Sequence, residues 1–91
     1  MKILIIGGGG REHALAWKVA QNDRVTEVYV APGNGGTQIE KKLVNIPLDP
    51  LNFEALATFA EKTKIDLTLI GPEAPLVNGI VDFFQNRNLP C

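Results

Sequence analysis

Three short runs in this chain have residue types and spacing suited to holding a small phosphorylated ligand. They are Gly7-Gly8-Gly9-Gly10-Arg11-Glu12, Pro32-Gly33-Asn34-Gly35-Gly36-Thr37 and Gly71-Pro72-Glu73-Ala74-Pro75. Gly7 to Gly10 carry no Cβ, so the backbone there can turn tightly and come within contact distance of a ligand. The N–H groups opening a helix after that loop favour an anion such as phosphate. A plain strand-to-helix turn is the simpler use for glycine, but such a turn seldom needs four in a row. Arg11 opposes the helix dipole at this position, and an anion in the loop would supply a reason for it; Glu12 gains from the same dipole. Asn34 offers an amide, though Asn34-Gly35 also favours an ordinary turn. Glu73 stands between two prolines in a stiff connection, where it reads either as a ligand carboxylate or as a helix N-terminal acid. Donors for an oxyanion and an acceptor for hydroxyls suit a sugar phosphate.

What is missing narrows the chemistry. A dinucleotide fingerprint needs a third glycine, and that place is Glu12 counting from Gly7 or His13 counting from Gly8. It also needs an acid at the end of the second strand, where this chain has Ala31-Pro32-Gly33; both absences count against NAD. A Walker loop ends in Gly-Lys-Ser/Thr, and Gly10 is followed by Arg11-Glu12. His13 has no nucleophile or second metal ligand beside it in sequence and is read as packed or hydrogen-bonded. No catalytic residue and no metal ligand is assigned in this chain, and no cofactor is expected to bind it.

The elements that must position these runs alternate along the chain. Lys2 to Ile6 is a strand whose unbroken apolar run, Ile3 to Ile6, is of the kind buried on both faces of a parallel sheet. Arg11 to about Asn22 is a helix expected to lie on the sheet through Leu15, Val19 and the small Ala14, Ala16 and Ala20. Thr26 to Ala31 is the second strand and Leu43 to Ile46 a short third. The second helix starts at Asp49-Pro50 or is capped by Asn52, and its stripe is Phe53, Leu56, Ala57 and Ala60. Asp66 to Ile70 is the fourth strand. Leu76 to about Asn88 is the third helix, with Leu76, Val77, Ile80, Val81 and Phe84 inward. Leu89-Pro90-Cys91 reads as the start of a fifth strand, which suggests that the chain is cut. Alternation of this kind predicts an α/β, Rossmann-like open parallel sheet with helices on both faces. With strand order 3-2-1-4, the three glycine-bearing loops line one rim at the switch point.

Composition sets the outer bounds. Ninety-one residues at 45% hydrophobic content allow one small domain. Nine basic against ten acidic residues leave a net charge of −1, with no basic cluster beyond Lys41-Lys42. That gives no footprint for nucleic acid or an anionic membrane. No apolar run approaches the ~20 residues that cross a bilayer, and Met1-Lys2 leads directly into a strand. The single cysteine, Cys91, fits a reducing compartment, so a cytoplasmic location is expected.

Gly7-Gly8-Gly9-Gly10-Arg11-Glu12-His13-Ala14, then Ala31-Pro32-Gly33-Asn34, then Gly71-Pro72-Glu73-Ala74-Pro75-Leu76, in this order and spacing, resemble the amino-terminal domain of the phosphoribosylamine–glycine ligase family. The resemblance covers essentially all 91 residues. Gly35 departs from the alanine expected there in many relatives, and Gln38 to Val44 follows no usable pattern.

The resemblance implies a Rossmann-like pre-ATP-grasp domain of an enzyme of purine synthesis. That enzyme joins glycine to 5-phosphoribosylamine while ATP is cleaved to ADP and phosphate, through an acyl phosphate of glycine. It implies ATP and magnesium or manganese held by ATP-grasp lobes absent from this chain, against which the domain packs. It implies substrate contacts at Gly9, Gly10, Arg11, Glu12, Asn34 and Glu73, with Glu73 on the ribose hydroxyls and the loop amides near the phosphate. The 91 residues alone are expected to have no ligase activity. A related ATP-grasp enzyme that ligates another acid and a non-catalytic nucleotide-binding domain are the alternatives.

Overall fold

The computed structural model describes residues 1–33, 42–71 and 79–91. Strand β1 (Lys2–Gly7) is followed by helix α1 (Gly10–Ala20) and strand β2 (Glu27–Pro32). Strand β3 (Leu43–Asn45), helix α2 (Phe53–Thr63), strand β4 (Leu67–Ile70) and helix α3 (Ile80–Asn86) come next. The strands form one sheet in the order β3-β2-β1-β4, every neighbouring pair parallel. The doubly covered open sheet expected from the alternation of elements is therefore the fold, with most boundaries moved by one or two residues; α3 is described from Ile80, and its expected start at Leu76 lies outside the described residues.

The unbroken apolar run of β1 is explained by the two faces it must satisfy. Successive side chains of a strand point to opposite sides. Leu4 and Ile6 enter a core with Ala31, Leu56, Ala57, Ala60, Ile80 and Phe84, under α2 and α3. Ile3 and Ile5 enter a second core with Ala16, Val28, Val30 and Leu43, under α1. Ile5, Ile6 and Leu4 are fully buried, and each such side chain contributes about 1.5–3 kcal/mol. Tyr29, on the α2 side of β2, meets the Phe59 ring edge-on at 5.3 Å between centroids.

Helix α1 meets the sheet on a narrower face than its composition led us to expect. Ala16 is buried and Val19 and Ala20 pack beside it, but Ala14 and Leu15 face outward, and Trp17 is 50% exposed. Apolar residues surround this helix almost completely, so their spacing alone does not choose the inner face. Glu12 takes the inner position one turn before Ala16, at 7% exposure.

Helix α2 begins at Asn52, whose Oδ1 accepts from the Ala55 N–H at 3.2 Å. Asp49 instead accepts from the Leu51 N–H at 2.8 Å, forming a turn just ahead of the helix. The helix ends on Lys64 in the left-handed region, and the Ile65 N–H returns to the Ala60 carbonyl at 3.0 Å. Helix α3 buries Ile80 and Phe84 as expected; Leu76 and Val77 lie outside the described residues. After α3 the chain comes alongside β4, where Thr68 donates its N–H to the Pro90 carbonyl at 3.1 Å. Leu89 to Cys91, expected to begin a fifth strand, is not a strand; this one bond is its backbone link to β4.

Candidate functional site

The carboxyl ends of β1, β2 and β4 meet at one rim, because parallel pairing brings them into register. The Gly33 N–H donates to the Gly7 carbonyl at 3.1 Å, and the Gly71 N–H donates to the Ile6 carbonyl at 3.0 Å. The chain leaves β1 for β2 and β3 on one side and returns to β4 on the other, so β1 and β4 flank the switch point. Open parallel sheets bind ligands outside the strand ends at such a point.

The four glycines of the loop have different reasons to be glycine. Gly7 has φ +140°, a backbone conformation that side chains rarely adopt, and a Cβ there would overlap the Glu12 side chain. A Cβ on Gly8 would lie 2.6 Å from the Gly33 carbonyl oxygen. Gly9 and Gly10 are exposed; a Cβ on Gly9 would make only an ordinary contact, at 3.4 Å from Glu12 Oε1, and one on Gly10 would meet nothing within 4 Å. Crowding inside the fold thus accounts for Gly7 and Gly8. Gly9 and Gly10 are glycine without such crowding.

Arg11 and Glu12 are tied into that rim. Glu12 Oε1 accepts from the Gly9 N–H at 3.3 Å, the return half of a capping box. Gly9 has no side-chain oxygen to complete the other half, so the first-turn N–H groups of α1 take no cap from it. Glu12 Oε2 lies 3.6 Å from Arg11 Nε, and Arg11 Nη2 donates to the Gly71 carbonyl at 2.6 Å. Arg11 therefore has a protein acceptor of its own; its side chain is otherwise 78% exposed. The contact between Arg11 and Gly71 spans 60 positions of sequence and left no local signal.

Of the residues singled out in the sequence, the structure brings Gly9, Gly10, Arg11 and Glu12 together at the switch point, with Gly71 beside them. Asn34 and Glu73 lie outside the described residues. His13, Ala14, Trp17 and Gly10 line a shallow, open depression of about 320 Å³ on the outer side of α1. Among the described residues no group of three or more His, Cys, Asp or Glu is placed to hold a metal ion. Nor is any helix among them long and apolar enough to cross a membrane.

The fold is an open parallel α/β domain with a glycine loop at its switch point, lacking the third glycine of a dinucleotide binder. Residues 1–91 match the family described as phosphoribosylglycinamide synthetase, N domain, and the chain belongs to that family. It is 64% identical over 91 residues to a phosphoribosylamine–glycine ligase of Pseudomonas putida, covering 100% of this chain and 21% of that protein. It is 57% identical over 90 residues to the enzyme of that name from Vibrio cholerae and 56% identical over 89 residues to that from Escherichia coli. In these two the match covers 99% and 98% of this chain and 21% of the relative. The chain thus spans about a fifth of the length of the curated relatives it matches.

Proposed function

We propose that this chain is the amino-terminal substrate domain of an ATP-dependent ligase that joins glycine to 5-phosphoribosylamine in purine synthesis. What supports the reading is the match of all 91 residues to one domain family, whose relatives bear that ligase's name. The switch-point rim agrees with it chemically. Gly10 opens α1 with space beside it for the phosphate, next to Gly9, and Arg11 places a cation there. Asn34 and Glu73 complete the substrate contacts, with Glu73 accepting from the ribose hydroxyls.

ATP, with magnesium or manganese held by ATP-grasp lobes outside these residues, would supply the phosphoryl group that activates the glycine carboxylate. The domain's own part is to bind and orient 5-phosphoribosylamine so that its amine faces that carboxylate. Holding two reactants in place removes much of the entropic barrier to joining them. The domain packs on those lobes in a cytoplasmic enzyme, and the 91 residues alone have no ligase activity.

The test is a titration of the isotope-labelled chain with ribose 5-phosphate, a stable stand-in for the substrate, and separately with NAD, following backbone amide shifts. Saturable shifts at Gly9, Gly10 and Arg11 with the sugar phosphate alone are expected. Shifts with NAD instead would overturn the reading. In the complete enzyme, Glu73→Ala should raise the KM for 5-phosphoribosylamine far more than that for ATP.

A further inference from the structure

We propose that Glu12, acting with Arg11, is a positioning residue that braces the glycine loop against the end of β4 and so sets the width of the ligand crevice. The proposal rests on the functional reading above for its substrate, but its geometry is independent of it.

The first observation is a wedge. The Glu12 side chain stands between the backbones of Gly7 and Gly71, the ends of two neighbouring parallel strands. A Cβ on Gly71 would lie 2.6 Å from Glu12 Cδ, and one on Gly7 would overlap Glu12 Cγ. Glycine at 71 is thus explained by the glutamate, and glycine at 7 by the glutamate together with its backbone angle.

The second is a chain of polar contacts. It runs from the Gly9 N–H to Glu12 Oε1, from Glu12 Oε2 to Arg11 Nε, and from Arg11 Nη2 to the Gly71 carbonyl. The chain of contacts links the loop after β1 to the residue that follows β4. A helix N-terminus needs only a short capping side chain, whereas burying a carboxylate costs free energy unless it is paired.

The third is the softness of what is braced. Four successive glycines have the greatest backbone freedom of any loop of that length. A site that must meet an oxyanion at hydrogen-bond distance has to be held to within about 0.5 Å. Glu12 supplies that restraint from below, while the space beside Gly10 stays open. At 7% exposure it supports the loop from within the fold.

The experiment is a double-mutant cycle in the complete ligase, with thermal unfolding and the KM of each substrate as readouts. Glu12→Ala should raise the KM for 5-phosphoribosylamine by about tenfold and leave that for ATP within about twofold. Gly71→Ala should do the same by pushing Glu12 out of its slot, and the double variant should be no worse than Gly71→Ala alone. Glu12→Gln, which keeps the shape and the acceptor for the Gly9 N–H, should recover most of the loss. Gly7→Ala should not be rescued by Glu12→Ala, because its backbone angle is unfavourable whatever stands opposite.

Multiplying effects of Glu12→Ala and Gly71→Ala, or equal changes in all three KM values, would overturn the brace. If Gly71→Ala alone does not fold, the double variant is expected to restore folding, and its failure to do so would also overturn the brace. A wild-type enzyme that forms no product from glycine and 5-phosphoribosylamine would sink the functional reading instead. The coupling of positions 12 and 71 in thermal unfolding would still decide the brace.

Discussion

Arg11 Nη2 donates to the carbonyl oxygen of Gly71 at 2.6 Å, joining the first turn of α1 to the residue that follows β4. A cation at a helix N-terminus opposes the dipole, and this bond is its compensation within the fold. The same guanidinium remains largely exposed and available to an anion.

These two roles of Arg11 separate experimentally. Arg11→Ala leaves the Gly71 carbonyl accessible to water, so the loss of stability should be below about 1 kcal/mol in urea unfolding. Affinity for ribose 5-phosphate should fall measurably, and more at low salt than at high salt. A large stability loss with unchanged affinity would assign Arg11 to the fold alone.

Gly7 and Gly10 should respond in opposite ways to one added methyl group. Gly7→Ala meets a φ of +140° and the Glu12 side chain and should cost about 1–3 kcal/mol from backbone strain alone. Gly10→Ala meets nothing within 4 Å at a helical position, so stability should hold or rise by up to about 1 kcal/mol. Sugar-phosphate affinity should nevertheless drop in Gly10→Ala, since the methyl stands where the backbone was open. Denaturation midpoints paired with calorimetric titration of both variants would show it.

Asn52→Ala removes the side chain that accepts from the Ala55 N–H and should cost about 1 kcal/mol. Asp49→Ala, which loses only the turn ahead of α2, should cost less. Equal losses in urea unfolding would place the helix start at Asp49 instead.

The half-buried Cys91 thiol is pushed above its ordinary value by desolvation. The folded state therefore holds this proton more tightly than the unfolded chain. Its contribution to stability is fully present below the ordinary thiol value of 9.0 and declines as pH rises past it. Unfolding free energy measured against pH should fall more steeply in the parent than in Cys91→Ser above that point. At pH 8 a thiol reagent should modify the folded chain more slowly than the urea-unfolded chain.

The sequence by itself determined the order of elements, the doubly covered parallel sheet and the place of β1 at its centre. Those follow from local facts: Ile3 to Ile6 offers apolar groups to both faces, Asn52 caps a helix with one apolar stripe, and glycine stands at or just after the ends of β1, β2 and β4. Alternation of strand and helix then leaves few topologies, so the meeting of the Gly7–Gly10 loop with Gly33 and Gly71 was legible before any coordinates. The absence of a third glycine was equally plain, because a motif is read over a few adjacent positions.

Only the tertiary structure decided which side of α1 faces the sheet and what Glu12 and Arg11 do there. Apolar residues circle that helix, so Ala16 was chosen over Leu15 by the shape of the β1–β2 surface and not by periodicity. The division of labour among the four glycines was hidden for a related reason. Glu12 meets Gly71, and Arg11 meets its carbonyl, because β1 and β4 pair in parallel across a separation of about 60 residues. No pattern confined to one helix or one loop carries such a contact; it comes into being when the sheet closes.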